Sequence, residues 1–133
     1  MGGSLNSSYL LDTHALLFAA ARPNRLSPKA RAAILSGSRV YTSSASAWEI
    51  ATKHRIGKLP EAEGLLLNYR ELLDKMGLLD LPIHTEHALL AGGMVGDHRD
   101  PFDRILAAQA RLENLTVISV DPAFDALGVR RLW

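Results

Sequence analysis

The sequence predicts an α/β fold, one layered domain built around a mostly parallel sheet, and three observations carry that reading. Short apolar runs at residues 9–11, 40–42 and 116–120 alternate with stretches of helical periodicity. Two of these runs end at an acid, Asp12 and Asp121, as happens where a strand turns into a helix at the carboxyl edge of an α/β sheet. The 133 residues are 47% apolar, enough to cover one such core and too few for two.

Taken in order, residues 1–8 (MGGSLNSS) are small and polar and are expected to be a flexible terminus or a cloning remnant, with the domain running from 9 to 133. Tyr9, Leu10 and Leu11 make the first strand, and residues 15–21 (ALLFAAA) the first helix. Ser27 and Pro28 read as N-cap and first position of a second helix, with Ala30, Ala33, Ile34 and Leu35 facing inward and Gly37 stopping it. Val40, Tyr41 and Thr42 form the second strand. A third helix is expected over residues 47–55, capped by Ser44 or Ser46, with Trp48, Ile50 and Ala51 on its apolar side and Glu49 elsewhere.

Past Pro60, one long amphipathic helix over residues 61–76 is expected to carry leucines at 65, 66, 67, 72 and 73. These leucines exceed what one inward stripe needs, so some are expected to face a partner. Residues 79–83 make a weak strand whose Pro82 suits a sheet edge. A short helix over 85–92 and a loop over 93–99 follow. Asp100, Pro101 and Asp103 give the firmest helix start in the chain, and ILAAQARL supplies its buried stripe. The β-branched run 116–120 suits a strand covered on both faces, and residues 129–132 form a last strand.

Composition excludes several functions. With no cysteine there is no disulfide scaffold, thiol nucleophile or cysteine zinc site, which fits a cytoplasmic protein. The longest apolar run falls well short of a membrane span, so no membrane role is expected. A net charge of +1 leaves any pull toward nucleic acid to local patches: Lys53, His54, Arg55 and Lys58 behind Glu49, and Arg99 and Arg104 around Asp103.

If the first and fourth strands are neighbours, Asp12 and Asp121 point into one cleft, with Thr13 and Ser119 adding hydroxyls. Glu49 and Asp103, in early turns of their helices, reach the same place from above. Four carboxylates without histidine or cysteine form an oxygen-only site, suited to Mg2+ or Mn2+ and not to zinc. Such a site performs phosphate-ester hydrolysis, and its metal affinity is expected to fall with pH as the acids protonate.

YLLDTHALLF, SASAWEIATKHRIGKL, HRDPFDRILAAQA and VISVDPAF, in this order and spacing, resemble PIN-domain ribonucleases, specifically the VapC-type toxins of bacterial toxin–antitoxin pairs. The resemblance runs over nearly the whole chain, from Tyr9 to Trp133. It implies that Asp12, Glu49, Asp103 and Asp121 are the four acids, with Asp125 competing for the last place. It also implies a parallel five-stranded sheet of order 3-2-1-4-5 in a three-layer sandwich, Mg2+- or Mn2+-dependent RNA cleavage, a homodimer and a VapB-type antitoxin. Rival readings are a relative acting on DNA or structured nucleic acid, an inactivated protein-binding module, and a phosphatase with an aspartyl nucleophile. The last is disfavoured because no second Asp follows Asp12 at the required spacing.

Plainer roles compete at each position. Asp12 suits a helix cap, Glu49 an i,i+4 pair with Lys53, Asp103 a capping partner for Asp100, and Asp121 a turn opener before Pro122. Asp100 is expected to be purely a cap and Asp97 a solvated loop acid. Trp48 is expected in the core, His14 packed beside the site, and His84, His87 and His98 at caps or on the surface, not on zinc.

Overall fold

The computed structural model describes residues 7–96 and 100–133. Asp97, His98 and Arg99, with whatever roles the sequence suggests for them, lie outside the described residues.

Five parallel strands form one sheet in the order β3-β2-β1-β4-β5: β1 Ser8–Leu11, β2 Arg39–Ser43, β3 Leu79–Leu81, β4 Thr116–Ile118 and β5 Arg131–Leu132. The order expected from the resemblance is the order found. Ser8, expected outside the domain, already pairs with Arg39. β1 lies between β2 and β4, with Leu11 opposite Thr42 on one side and Ile118 on the other. The chain winds one way from β1 and the other way from β4, so the crevice between their carboxyl ends is the topological switch point of the sheet.

Side-chain alternation in the central strands builds the two cores. Leu11 and Ile118 face one layer, with Leu16, Ala30, Ile50, Leu65 and Leu73. Leu10 and Val117 face the other, with Leu106, Ala107, Ala110 and Phe124. A strand with apolar neighbours on both faces reads as a continuous hydrophobic run, which is why 9–11 and 116–118 carry no polar residue beyond their ends.

The helices are α1 Thr13–Ala21, α2 Pro28–Ile34, α3 Ser44–Arg55, α4 Glu63–Leu67, α5 Tyr69–Lys75, α6 Thr85–Gly93 and α7 Pro101–Glu113. Ser27 caps α2 through Ala30 N–H, and Asp100 caps α7 through Phe102 and Asp103 N–H, both as the sequence predicts. Asn114, in the left-handed region at φ 57°, ends α7. The Gln109 amide donates to the Leu81 and Pro82 carbonyls at 3.3 and 3.1 Å, tying α7 to the end of the edge strand. No helix among the described residues is long and apolar enough to cross a membrane.

Several expectations need correction. The long helix over 61–76 is a 3-10 turn, Pro60–Ala62, followed by α4 and α5, which part at Asn68, where φ −132° and ψ 38° leave helical space. Leu35 lies beyond the last helical residue of α2 as its C-cap and is exposed, not inward-facing. β4 stops at Ile118, leaving Val120 exposed, and the last strand is confined to Arg131–Leu132. A 3-10 segment, Pro122–Leu127, follows Asp121, where the sequence showed only a turn. His87 is buried: its Nδ1 accepts the His84 N–H at 2.9 Å, closing the start of α6, and its Nε2 lies 2.9 Å from Glu113. The capping role stands, and the surface location does not.

Candidate active site

At the end of β1 the Asp12 N–H still donates to the Ile118 carbonyl, 3.1 Å away, so this residue is fixed to β4 before the chain turns into α1. Its extended backbone (φ −74°, ψ 175°) lets Oδ1 accept the Ala15 N–H at 2.8 Å. The capping role and the site role therefore coexist in one carboxylate. Asp12 is only 4% exposed. Burial pushes its carboxyl above the ordinary value; the Ser119 hydroxyl, the Ala15 N–H and the nearby His14 pull it down, and the charge of Asp121 adds to the rise.

Ser119 and Asp121 come from the neighbouring strand end. The buried Ser119 hydroxyl stands near Asp12, whose carboxyl it pulls down, and accepts the Asp121 N–H at 3.0 Å. Asp121 in turn caps the 3-10 segment through Ala123 N–H at 2.9 Å. Asp125 has a different environment: it is exposed and gripped by Arg131 at 3.0 and 3.2 Å, which holds its carboxyl below the usual range. Asp121, and not Asp125, is the acid that feels Asp12.

α3 delivers Glu49. The helix starts one turn earlier than the sequence suggests, with Ser43 as its cap through Ala45 N–H, and its inward face carries Ala45, Ser46, Glu49 and Ile50. Trp48 points out at 65% exposure and is not in the core as the sequence suggests, while Glu49 is 5% exposed. The Thr13 hydroxyl donates to Glu49 Oε1 at 2.6 Å and lies 3.0 Å from the Ser46 hydroxyl. Lys53 Nζ holds the other oxygen, Oε2, at 2.7 Å. Thr13 thus links α1, immediately after Asp12, to the Glu49 carboxylate.

Asp103 stands half-buried in the first turn of α7. The preceding residue, Phe102, packs edge-on against Trp48, the residue before Glu49, with ring centroids 5.0 Å apart. Two acids on separate helices are therefore each one position beyond a shared aromatic contact. Arg104, expected as a phosphate contact, instead donates to the Ala91 and Met94 carbonyls and anchors the end of α6.

Among the described residues, no three His, Asp or Glu side chains are grouped so as to hold one metal ion. Among the four acids, Glu49 is partnered by Thr13 and Lys53, Asp121 by Ala123 N–H, and Asp12 by Ala15 N–H. The donor set nevertheless fits a hard dication in kind, being all oxygen, with a buried carboxylate whose charge its surroundings disfavour.

Sequence reasoning missed the Trp48–Phe102 contact and the place of Ser46 beside Thr13. The available signal was the spacing Ser46-x-x-Glu49, which puts both on one helix face with Ala45 and Ile50. It also missed a groove of about 400 Å3 between α1 and the segment around α4, lined by Leu17, Phe18, Leu59, Leu65 and Leu72, with His14 at its rim.

The PIN domain matches residues 9–129 of the chain. No curated protein matches it as a relative. Among solved structures, it is similar to FitAcB from Neisseria gonorrhoeae, with 23% identity and a TM-score of 0.64 over 94% of this chain and 96% of that one. DNA-bound VapBC from Salmonella typhimurium gives 22% identity and a TM-score of 0.65 over 95% and 97%. A toxin–antitoxin complex from Klebsiella pneumoniae gives 16% and 0.60 over 89% and 90%. At such identities the likeness is one of fold.

Proposed function

The chain belongs to the PIN-domain family, and from that premise we propose that it is a cytoplasmic, Mg2+- or Mn2+-dependent endoribonuclease toxin of the VapC type. The observation that carries this reading is the buried Asp12 carboxylate at the switch point between β1 and β4, with Ser119 and Asp121 beside it. Burial and the Asp121 charge both disfavour its ionised form, and a bound dication reverses that preference. Asp12, Glu49, Asp103 and Asp121 are the residues that would hold it. Such an ion, when bound, supplies positive charge to the scissile phosphate and acidifies the attacking water.

The chain's own groups prepare the site. Ser119 favours the charged form of Asp12, and Thr13, steadied by Ser46, fixes one Glu49 oxygen. The basic last turn of α3, with His54 and Arg55, offers contacts for phosphates flanking the cut, so binding is expected to weaken steeply with salt. Hydrolysis of this kind leaves a 5′-phosphate and a 3′-hydroxyl. It does not use the ribose 2′-hydroxyl as nucleophile, so preference for RNA arises in binding.

The partner proposed is a VapB-type antitoxin. The apolar groove along α1 suits an apolar peptide, and His14 on its rim, two residues from Asp12, brings that peptide to the edge of the site. Similarity in fold to proteins solved as toxin–antitoxin complexes supports this. Exposed Trp48, Leu67 and Leu89 support a homodimer.

The test is cleavage of a panel of RNA, single-stranded DNA and structured DNA by purified protein with Mn2+, with EDTA, and by Asp12→Asn. Cleavage of RNA alone, lost with EDTA and in the variant, is expected. Cleavage of DNA alone overturns the RNA assignment, and equal cleavage in all three preparations overturns the nuclease assignment.

A further inference from the structure

We infer that Lys53 is an exchangeable counter-ion for Glu49, which holds the carboxylate while no divalent ion is bound and is displaced when one binds. The inference rests on the metal-site reading above and adds a residue that regulates it. An exposed i,i+4 pair contributes little, but Glu49 is 5% exposed, and a buried carboxylate without a partner is strongly disfavoured. Its two oxygens are held in different ways. Oε1 accepts the Thr13 hydroxyl at 2.6 Å, and Thr13 is itself bonded to the buried Ser46. That contact survives when the other oxygen changes partner.

Oε2 faces Lys53 Nζ at 2.7 Å, and an ammonium and a dication compete for the same lone pairs. The Lys53 side chain is 38% exposed, so it reaches Glu49 from the solvent side. It can withdraw into water by rotation about its own bonds, without opening the core. The wild-type protein therefore binds metal more weakly than its carboxylates alone would. The released ammonium then stands beside the site, where a nucleic-acid phosphate is its natural acceptor, so metal and nucleic acid strengthen each other's binding by linkage.

The experiment is calorimetric titration of Mn2+ into wild-type protein, Lys53→Met, Lys53→Gln, Lys53→Arg and Asp12→Asn, with folding checked by circular dichroism. Lys53→Met is expected to bind Mn2+ about 5- to 30-fold more tightly than wild type, with Lys53→Gln behaving the same way should Lys53→Met not fold. Lys53→Arg, which keeps a competing cation, is expected to stay near wild type. Unchanged or weaker binding in folded Lys53→Met and Lys53→Gln overturns the inference while leaving the metal site standing. Absence of Mn2+ binding to wild type, or equal binding to Asp12→Asn, overturns the metal site itself.

Discussion

Glu49 and Asp125 are both carboxylates gripped by a cation, at 2.7 Å from Lys53 and at 3.0 and 3.2 Å from two nitrogens of Arg131. The Arg131 grip is the better formed, a planar two-point contact of the kind guanidinium favours. Yet Asp125 is exposed, so water and salt screen the pair. Glu49 is buried on α3, within hydrogen-bond reach of the residue after Asp12, and both of its oxygens have partners. The comparison shows that an acid's place in the chain matters less than what encloses it. Asp121, four residues before Asp125, has no such guanidinium contact among its hydrogen bonds and instead acts electrostatically on Asp12.

The sharpest way to break this contrast is Asp12→Asn, for which cleavage is expected to fall at least about 100-fold in a Mn2+ assay. Its effect on stability has the opposite sign. The folded-state carboxyl titrates above its ordinary, unfolded value, so between those two values the folded protein holds the extra proton and metal-free stability falls as pH rises. Asparagine keeps an oxygen to cap the Ala15 N–H and carries no charge to bury. Thermal melts without metal should therefore show a Tm higher by roughly 2–6 °C above that window, with this component of the pH dependence gone. A lower Tm would mean that Asp12 is stabilised by a partner.

Glu49→Gln comes next. It keeps an acceptor for Thr13 but releases Lys53, so cleavage should drop at least about 30-fold while stability changes by about 1 kcal/mol or less in a denaturant titration. Ser119→Ala removes the hydroxyl that serves both Asp12 and the Asp121 N–H; a loss of about 1–2 kcal/mol and a several-fold weaker response to Mn2+ are expected. Asp125→Asn is the smallest: cleavage within about twofold of wild type, and a Tm that barely moves. A large loss of cleavage there would exchange the roles given to Asp121 and Asp125.

Much of this arrangement is legible in the sequence where local chemistry decides. Short apolar runs ending at Asp12 and Asp121 mark strand ends because a strand covered on both faces admits few polar residues. Ser27-Pro28 and Asp100-Pro101 mark helix starts because a capping oxygen and a fixed φ serve the same four amides. The order of the strands was available only through the family resemblance, since pairing across the sheet leaves no local trace.

What stayed hidden depends on tertiary packing. Ser43, Ser44 and Ser46 are all competent caps, and only the turn out of β2 selects Ser43. Which face of α3 turns inward is decided by what packs against it, and packing leaves Trp48 outside and Glu49 inside. Asn68 divides α4 from α5 without the glycine or proline that would announce a break. The anchoring of Arg104 on the Ala91 and Met94 carbonyls at the end of α6, 13 and 10 residues away in the chain, has no sequence signature at all.

The central claim, that the carboxyl end of this sheet is a divalent-ion site, is tested most directly by anomalous diffraction at the manganese edge from crystals grown with Mn2+. An ion bonded to Asp12, with Glu49 or Asp103 turned toward it, is the expected result. Crystals with an intact Asp12 and no manganese at its carboxylate, at a concentration that saturates cleavage in solution, would contradict it.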